Sequence, residues 1–194
     1  SRFALEHRYA TKMSERFPKA RAVKIIELLH STDSDFEKVV SKDIDRALRR
    51  AQTSYFTVLK TIYREEPDEA ISKQKMETVM NILERLLNDD GQKKEPHVKL
   101  HALMLFSQHY DLKGDFKNAL KFADSAIAHT PTYVEAYMNK ARVLKHENKL
   151  EEAADTMDQA RLLDLQDRFV NCKAVKYLLR ANKPEKAKEI ARLF

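Results

Sequence analysis

The feature that most constrains the fold is a repeat of 34 residues in the second half of the chain. When the sequence is shifted by one period, Gly114 coincides with Asn148 and Asn182, which are residues that tolerate the left-handed backbone of a turn. Three further columns align small or apolar residues. They are Ala119, Ala153 and Ala187; Tyr110, Leu144 and Leu178; and Ala123, Met157 and Ala191. Four columns in phase over three units indicate a repeated structural element.

A period of 34 residues is typical of the tetratricopeptide repeat, in which each unit is a pair of helices. The alanines allow the two helices of a pair to approach closely, and the larger residues fill the space between them. One pair cannot bury its apolar stripe alone, so neighbouring pairs stack. We predict units near 100–133, 134–167 and 168–194, the last of them cut short. Pro131 follows the first unit.

The first half of the chain, residues 1–97, is also predicted to be helical, but without a clear 34-residue register. Two glycines and five prolines leave little turn material for a sheet fold, and no alternating stretch indicates a strand. The fold class is therefore all-α, a tetratricopeptide-type α-solenoid of stacked helical hairpins, degenerate over 1–97 and regular over 98–194. In the first half we expect one helix over 3–16 and another over 19–30, with Pro18 between them. A third helix is expected from Asp33 or Ser34 to about Arg50, and a fourth follows Ser54 and Tyr55. The fifth is expected from Pro67 to Leu87, and the segment NDDGQKKEP ends it.

The predicted core includes Phe3, Leu5, Phe36, Phe56 and Phe106. The chain has one cysteine, Cys172, so an internal disulfide is excluded and a reducing compartment, the cytoplasm, is expected. Its neighbours Val175 and Leu179 predict that Cys172 is buried. The longest uncharged run, 100–110, is too short to cross a bilayer, so we expect no membrane association. The sequence ends on Leu193 and Phe194 within an apparent amphipathic helix, which suggests a piece of a longer protein.

Several basic or titratable side chains share one side of the helix predicted for KARVLKHENK, residues 140–149. They are Arg142, Lys145, His146 and Lys149, at spacings of three, four and seven residues. One period later, Lys176 and Arg180 occupy the positions of Arg142 and His146. Because the first helices of such units line a concave groove, we predict that stacking brings Arg142 beside Lys176 and His146 beside Arg180. Lys173 and Tyr177 lie on the same stripe, with Phe169 one turn earlier.

Cations from two units would lie within reach of one another. Packed helices are about 8–10 Å apart, close to the Debye length at physiological salt, so these like charges repel. A ligand with several phosphates would turn the repulsion into binding, since each charge-assisted hydrogen bond contributes about 1.5–3 kcal/mol and arginine offers two donors to one phosphate. A solvated face that confers only solubility is the alternative, and both interpretations stay open at this point.

Four segments of the chain are distinctive: FSQHYDLKGDF, IAHTPT, KARVLKHENKLEEAA and DRFVNCKAVKYLLRANKPEKAKE. Together they resemble the family of the auxiliary subunit of the NatA N-terminal acetyltransferase. The likeness is close over 98–194 and looser over 1–97, where ERFPKARAVK and SYFTVLKTIY carry it. The resemblance implies a non-catalytic scaffold that wraps a GNAT-fold catalytic subunit, shapes its active site towards small penultimate N-termini, and docks it at the ribosome near the nascent-chain exit.

The resemblance also implies that inositol hexakisphosphate binds in a basic pocket between scaffold and catalytic subunit. The family's KxRxxKH segment corresponds to Lys140, Arg142, Lys145 and His146. Its DRFxNxK segment corresponds to Arg168, Lys173 and, one turn on, Lys176; Arg180 joins the candidates from the stripe derived above. The family usually has a small residue after the Lys-His pair, whereas this chain has Glu147. That acid would weaken phosphate binding if it faced the pocket.

Other candidate sites are weaker. His97 and His101 have a spacing that suits zinc, but no HExxH pattern or nearby cysteine completes a site, so we expect surface histidines and no metal. Neither a glycine-rich phosphate loop nor a nucleophile motif is present, so no catalytic residue is predicted. The basic run RFPKARAVK, residues 16–24, and the net charge of +6 permit contact with RNA. Two alternatives to the NatA scaffold therefore stay open: a tetratricopeptide adaptor that binds a peptide in its groove, and an RNA-binding helical protein.

Overall fold

The computed structural model describes residues 2–17, 20–31, 33–88 and 95–193. Every regular element in these ranges is an α-helix, and the all-α prediction is confirmed. Pro18 and residues 89–94 of the predicted NDDGQKKEP terminator lie outside the described residues, as does the side chain of Phe3. None of the described helices is both long and apolar enough to cross a bilayer. The helices are α1 Arg2–Arg16, α2 Arg21–His30, α3 Asp33–Arg49, α4 Tyr55–Glu65, α5 Glu69–Asn88, α6 Pro96–Lys113, α7 Phe116–His129, α8 Val134–His146, α9 Leu150–Leu163, α10 Arg168–Arg180 and α11 Pro184–Ala191.

The chain forms two compact units, Ser1–Lys99 and Leu100–Phe194. The second unit contains three helical pairs, α6–α7, α8–α9 and α10–α11, one in each predicted repeat. Within it α8 packs on α7 and α9, and α10 packs on α9 and α11. Helices α8, α9 and α10 therefore each lie between their neighbours in sequence, which is the stacking that the repeat predicted.

The turn inside each of these pairs has the same geometry, which explains why two sequence columns recur together. Gly114, Asn148 and Asn182 have left-handed backbones, with φ of 76°, 67° and 55°. The N–H of the residue that follows each of them donates to a carbonyl five residues earlier, at 2.9 Å in all three turns. Those carbonyls belong to Tyr110, Leu144 and Leu178. The turn residue and the interhelical residue are thus two parts of one helix-ending motif.

The alanine column lies on the second helix of each pair and is buried there, as predicted. Ala119, Ala153 and Ala187 are 0%, 1% and 2% exposed. Ala123 and Met157 are also buried, whereas Ala191, in the same column, is exposed. Ala191 is the last residue of α11, and in the described part of the chain no following helix packs over it.

In the first unit α1 pairs with α2, α2 contacts α4, and α3 and α4 both contact α5. Phe36, Leu59 and Ile62 are almost fully buried there, and Phe56 is partly buried. In the second unit Phe106 is 5% exposed, which agrees with the core prediction. Leu5 is 74% exposed, so its predicted burial is wrong. Its side of α1 is not the side that packs on α2, a distinction that apolar character alone cannot make.

Two local features of the first unit differ from expectation. Helix α5 begins at Glu69, and Asp68 caps it by accepting from the Ala70 N–H at 2.8 Å, so Pro67 lies before the first turn instead of in it. Ala51, in the turn after α3, has a φ of 50°. That left-handed conformation is unfavourable for alanine because its Cβ crowds the backbone.

The first unit also buries an ion pair. The Lys75 ammonium donates to the Glu66 carboxylate at 2.7 Å and to the carbonyls of Leu28 and Leu29 at 3.2 and 2.9 Å. Leu28 and Leu29 lie in the last turn of α2, where the carbonyls have no partner within the helix. Lys75 therefore ties α5 to the ends of α2 and α4.

Candidate functional site: a cationic cluster on α8 and α10

The rotation of α8 and α10 about their axes is fixed by the residues that they bury. Ala141 and Leu144 of α8 and Ala174 and Leu178 of α10 belong to one hydrophobic core. At its start α10 is capped by Asp167, whose carboxylate accepts from the N–H groups of the next turn at 2.7 and 3.3 Å. With the apolar sides turned inward, the basic residues between them lie on the remaining sides of both helices.

Cations from the two helices converge around Lys145. Burial lowers the pKa of Lys145, and the positive charges of Arg180, Arg142 and Lys173 lower it further. The carboxylate of Asp111 acts in the opposite direction and raises that pKa. Arg142 and Lys145 lie on α8, whereas Lys173 and Arg180 lie on α10, one repeat later. We call these four residues the cationic cluster.

Aromatic rings flank two members of the cluster. The Arg180 guanidinium carbon lies 5.6 Å from the ring centroid of Tyr177, which is itself 6% exposed. The Lys173 ammonium lies 5.2 Å from the ring centroid of Phe169. Burial raises the pKa of Tyr177, while the charges of Arg142 and Arg180 lower it. Because an ordinary tyrosine titrates near about 10, this hydroxyl is a neutral donor at physiological pH.

An acid from the preceding repeat also reaches the cluster. Asp111 lies near the end of α6, its side chain is 10% exposed, and its carboxylate oxygens are 2.7 and 2.9 Å from Nδ1 of His146. The sequence pattern did not reveal Asp111, because the basic stripe was followed only from α8 to the equivalent helix of the next repeat, α10. Three interacting pairs, Asp111–His146, Arg142–Tyr177 and Lys145–Arg180, are each 35 residues apart. A search for acids at that separation from each cation would have found Asp111.

The other predicted site residues lie beside the cluster. Lys140 contacts the Asp124 carboxylate of α7 at 2.8 Å. Arg168 and Lys176 are exposed on α10, and the described contacts do not join them to the cluster. That Arg142 lies beside Lys176 therefore stays a prediction. The structure gives His146 a different partner, Asp111, from the predicted Arg180.

The unusual acid Glu147 is engaged by a neighbouring cation. Its carboxylate contacts the Lys149 ammonium at 3.0 Å, across the turn after α8. Its Oε2 atom is buried and has no hydrogen-bond partner among the described residues. Lys149, the fourth basic residue of the sequence stripe, is thus committed to a local ion pair.

The remaining sequence candidates are placed as follows. His97 Nε2 lies 3.1 Å from the Arg49 carbonyl, whereas His101 is 6% exposed, so the expectation of two surface histidines is wrong for His101. Its ring packs edge-on against Tyr133. Among the described residues no group of three or more His, Cys, Asp or Glu is placed to hold a metal.

Two further sequence expectations concern Cys172 and the basic run. Cys172 is exposed and Leu179 is 55% exposed, so the predicted burial of this thiol is wrong. Both lie on the side of α10 away from Ala174 and Leu178. In the basic run 16–24, Lys24 forms an ion pair with the buried carboxylate of Asp43, so that cation is held within the first unit.

The fold and the cluster define a class of protein, a tetratricopeptide-type helical-repeat protein with cations from adjacent repeats gathered on their first helices. The family described as "N-terminal acetyltransferase A, auxiliary subunit" matches residues 3–194. The chain belongs to that family, and the resemblance seen in the sequence is confirmed.

Individual relatives agree with this assignment. The chain is 34% identical over 184 residues to the N-terminal acetyltransferase A complex auxiliary subunit NAA15 of Arabidopsis thaliana. It is 33% identical over 190 residues to the N-alpha-acetyltransferase 16, NatA auxiliary subunit, of Homo sapiens. Each match covers 94% of this chain but 20% and 22% of the relatives, so the chain spans about a fifth of their length.

Solved structures give the same result. The structure of Naa15/Naa10 bound to HypK-THB matches 99% of this chain, and the match covers 28% of the chain in that structure. The TM-score is 0.84 and the sequence identity is 31%. A crystal structure of MamA matches 84% of this chain and 93% of that chain, with a TM-score of 0.51, but at 12% identity it shares the fold alone. The predicted class, a tetratricopeptide-type α-solenoid of stacked helical hairpins, is confirmed.

Proposed function

We propose that this chain is part of a non-catalytic scaffold, the auxiliary subunit of a NatA N-terminal acetyltransferase. It binds the GNAT-fold catalytic subunit and supports co-translational N-terminal acetylation at the ribosome in the cytoplasm. The observation that carries the proposal is the family match over residues 3–194, together with the TM-score of 0.84 to a structure of Naa15 with Naa10. The chemistry belongs to the catalytic subunit, and this chain contributes binding surface.

We also propose that the cationic cluster holds a polyphosphate, with inositol hexakisphosphate as the ligand that the family resemblance suggests. The four cations repel one another, which is one reason for the lowered pKa of Lys145. Bound phosphates relieve this repulsion, and they are able to accept hydrogen bonds from both arginines and from the Tyr177 hydroxyl. The site extends along α8 and α10 to four further basic or titratable residues: Lys140, His146, Arg168 and Lys176.

The scaffold is tested by isolating the full-length protein that contains this sequence and identifying what co-purifies with it by mass spectrometry. We expect a GNAT-fold acetyltransferase in near-equal amount, and N-terminal acetylation of peptides by the isolated complex. Purification without any acetyltransferase would refute the scaffold. RNA that binds in a salt-sensitive manner without an acetyltransferase would instead favour the RNA-binding alternative, and a captured peptide would favour the adaptor.

The ligand is tested by titrating inositol hexakisphosphate into the full-length protein in a calorimeter. The double variant Arg142→Glu with Arg180→Glu reverses two charges of the cluster and is expected to abolish binding. The matched control, Lys117→Glu with Lys188→Glu, makes the same change in charge at exposed positions of α7 and α11. The control is expected to retain wild-type affinity to within a few-fold. Equal losses in both double variants would show that net charge, not this cluster, binds the ligand.

A further inference from the structure

The contact between Asp111 and His146 fixes which ring nitrogen of the histidine carries a hydrogen. Nδ1 of His146 lies 2.7 and 2.9 Å from the two carboxylate oxygens of Asp111. Because a carboxylate is able only to accept, Nδ1–H must be the donor. In the neutral ring Nε2 then carries a lone pair, which repels an anion. Protonation converts Nε2 into a second N–H donor, which attracts one.

We propose that the Asp111–His146 pair is a proton-linked element of the polyphosphate site, so that anion binding is accompanied by uptake of a proton on His146. This inference rests on the proposed polyphosphate site and adds its regulation by pH. Asp111 serves as the positioning residue, since it orients the imidazole across the interface between α6 and α8. His146 is 42% exposed and follows Lys145 directly, so its ring is accessible to solvent beside the cluster.

The charges around His146 decide the direction of the effect. On its own helix Arg142 and Lys145 precede His146 by four residues and one residue, and from α6 the Asp111 carboxylate contacts its ring. From α10, Arg180 and Lys173 add positive charge at Lys145. The cations thus outnumber the one facing carboxylate.

The charges on the other packed elements are largely paired among themselves. In the turn after α8, Glu147 is held by Lys149, on which Glu152 of α9 also acts. On α7, Asp124 is held by Lys140 near the middle of α8. These four side chains are therefore held in ion pairs of their own.

An anion bound at the cluster neutralises the charges that oppose protonation of His146. Binding and protonation therefore reinforce each other, and by linkage each strengthens the other equally. Histidine in general changes its charge between about pH 5 and pH 8. We expect the anion to bind about fivefold to tenfold more tightly at about pH 6 than at about pH 8.

The test uses inositol hexakissulfate, whose sulfates stay ionised over this range of pH, so that any proton taken up belongs to the protein. Calorimetry of the full-length protein in buffers of different ionisation enthalpy gives the number of protons bound with the anion. We expect a fraction of one proton in the wild type near neutral pH. In His146→Gln this uptake and the pH dependence are lost although binding persists. His146→Arg, which is charged at every pH, is expected to bind as tightly at high pH as at low pH.

The control variant is His129→Gln, which alters a histidine of α7 that contacts Thr130 in the same unit. It is expected to keep both the proton uptake and the pH dependence. Equal affinity of the wild type at both pH values, or undiminished proton uptake in His146→Gln, would overturn the inference while leaving the polyphosphate site intact. Failure of the wild type to bind either the hexakissulfate or the hexakisphosphate would overturn the site itself.

Discussion

Replacing Lys145 by methionine should stabilise the unliganded protein and weaken polyphosphate binding at the same time. Burial of the ammonium and the positive charges of Arg180, Arg142 and Lys173 disfavour a charged Lys145, and the Asp111 carboxylate offsets them only in part. The pKa of Lys145 is therefore below the ordinary 10.5, so near neutral pH the charge is a cost that the folded state carries and the unfolded state does not. Methionine keeps the apolar stem and removes the charge, so the melting temperature should rise.

The size of the binding loss follows from the number of hydrogen bonds removed. One charge-assisted hydrogen bond contributes about 1.5–3 kcal/mol, which corresponds to about 10- to 150-fold in affinity for inositol hexakisphosphate. Differential scanning fluorimetry without ligand and calorimetry with ligand measure the two effects on the same full-length protein. Lys117→Met is the control, because Lys117 is exposed on α7 and acts favourably on Asp115. It should change neither quantity appreciably.

The lowered pKa of Lys145 also makes the stability of the protein depend on pH. With a folded-state pKa lower than the unfolded-state pKa, the unfolded chain binds more protons between the two values, so Lys145 makes stability rise with pH in that window. Lys145→Met should remove this contribution. A melting temperature of Lys145→Met lower than that of the wild type without ligand would contradict the unfavourable charge at Lys145. Unchanged affinity for the hexakisphosphate would contradict a contact between Lys145 and the ligand.

Other predictions concern the framework that carries the cluster. Lys75→Met should destabilise the protein by about 3–5 kcal/mol in urea denaturation, because it leaves the buried Glu66 carboxylate unpaired. The double variant Lys75→Met with Glu66→Gln should recover part of that stability. A destabilisation by Lys75→Met alone of no more than about 0.5 kcal/mol would refute the buried pair. Ala51→Gly should stabilise the protein by about 1 kcal/mol, because glycine adopts the left-handed turn without strain. The same change at the partly buried Ala181, in the turn after α10 where φ is −81°, should not stabilise it. Burial lowers the pKa of His109 to about 4, so stability should fall as pH drops from about 6.5 towards 4; His109→Gln should flatten that slope, and an unchanged slope would contradict it.

The repeat could be predicted because two of its columns depend on one local motif. A left-handed residue at Gly114, Asn148 or Asn182 returns the following N–H to the residue that fills the interhelical space. Local chemistry and packing therefore point to the same register, and the helix pairs follow from it. Ala51 forms a similar turn in the first unit, yet alanine gives no such signal, so the sequence does not reveal it.

Burial on individual helices was harder to predict, because helical spacing does not say which side a neighbour covers. Cys172 and Leu179 are seven residues apart, a spacing that fits an inward stripe, but Ala174 and Leu178 occupy the inward side of α10. The site was incomplete for a related reason. Asp111 belongs to the preceding repeat, and its meeting with His146 depends on how α6 and α8 are staggered, which is a property of the packed pair.

In the proposed site, cations from two adjacent repeats bind one anion, and a double-mutant cycle measures whether they do. Lys145→Met of α8, Arg180→Gln of α10 and their combination are titrated with inositol hexakisphosphate in the full-length protein. If both side chains serve one ligand, the loss in the double variant should differ from the sum of the single losses by about 0.5–3 kcal/mol, as for residues that share a partner. Losses that add within experimental error would contradict a shared site.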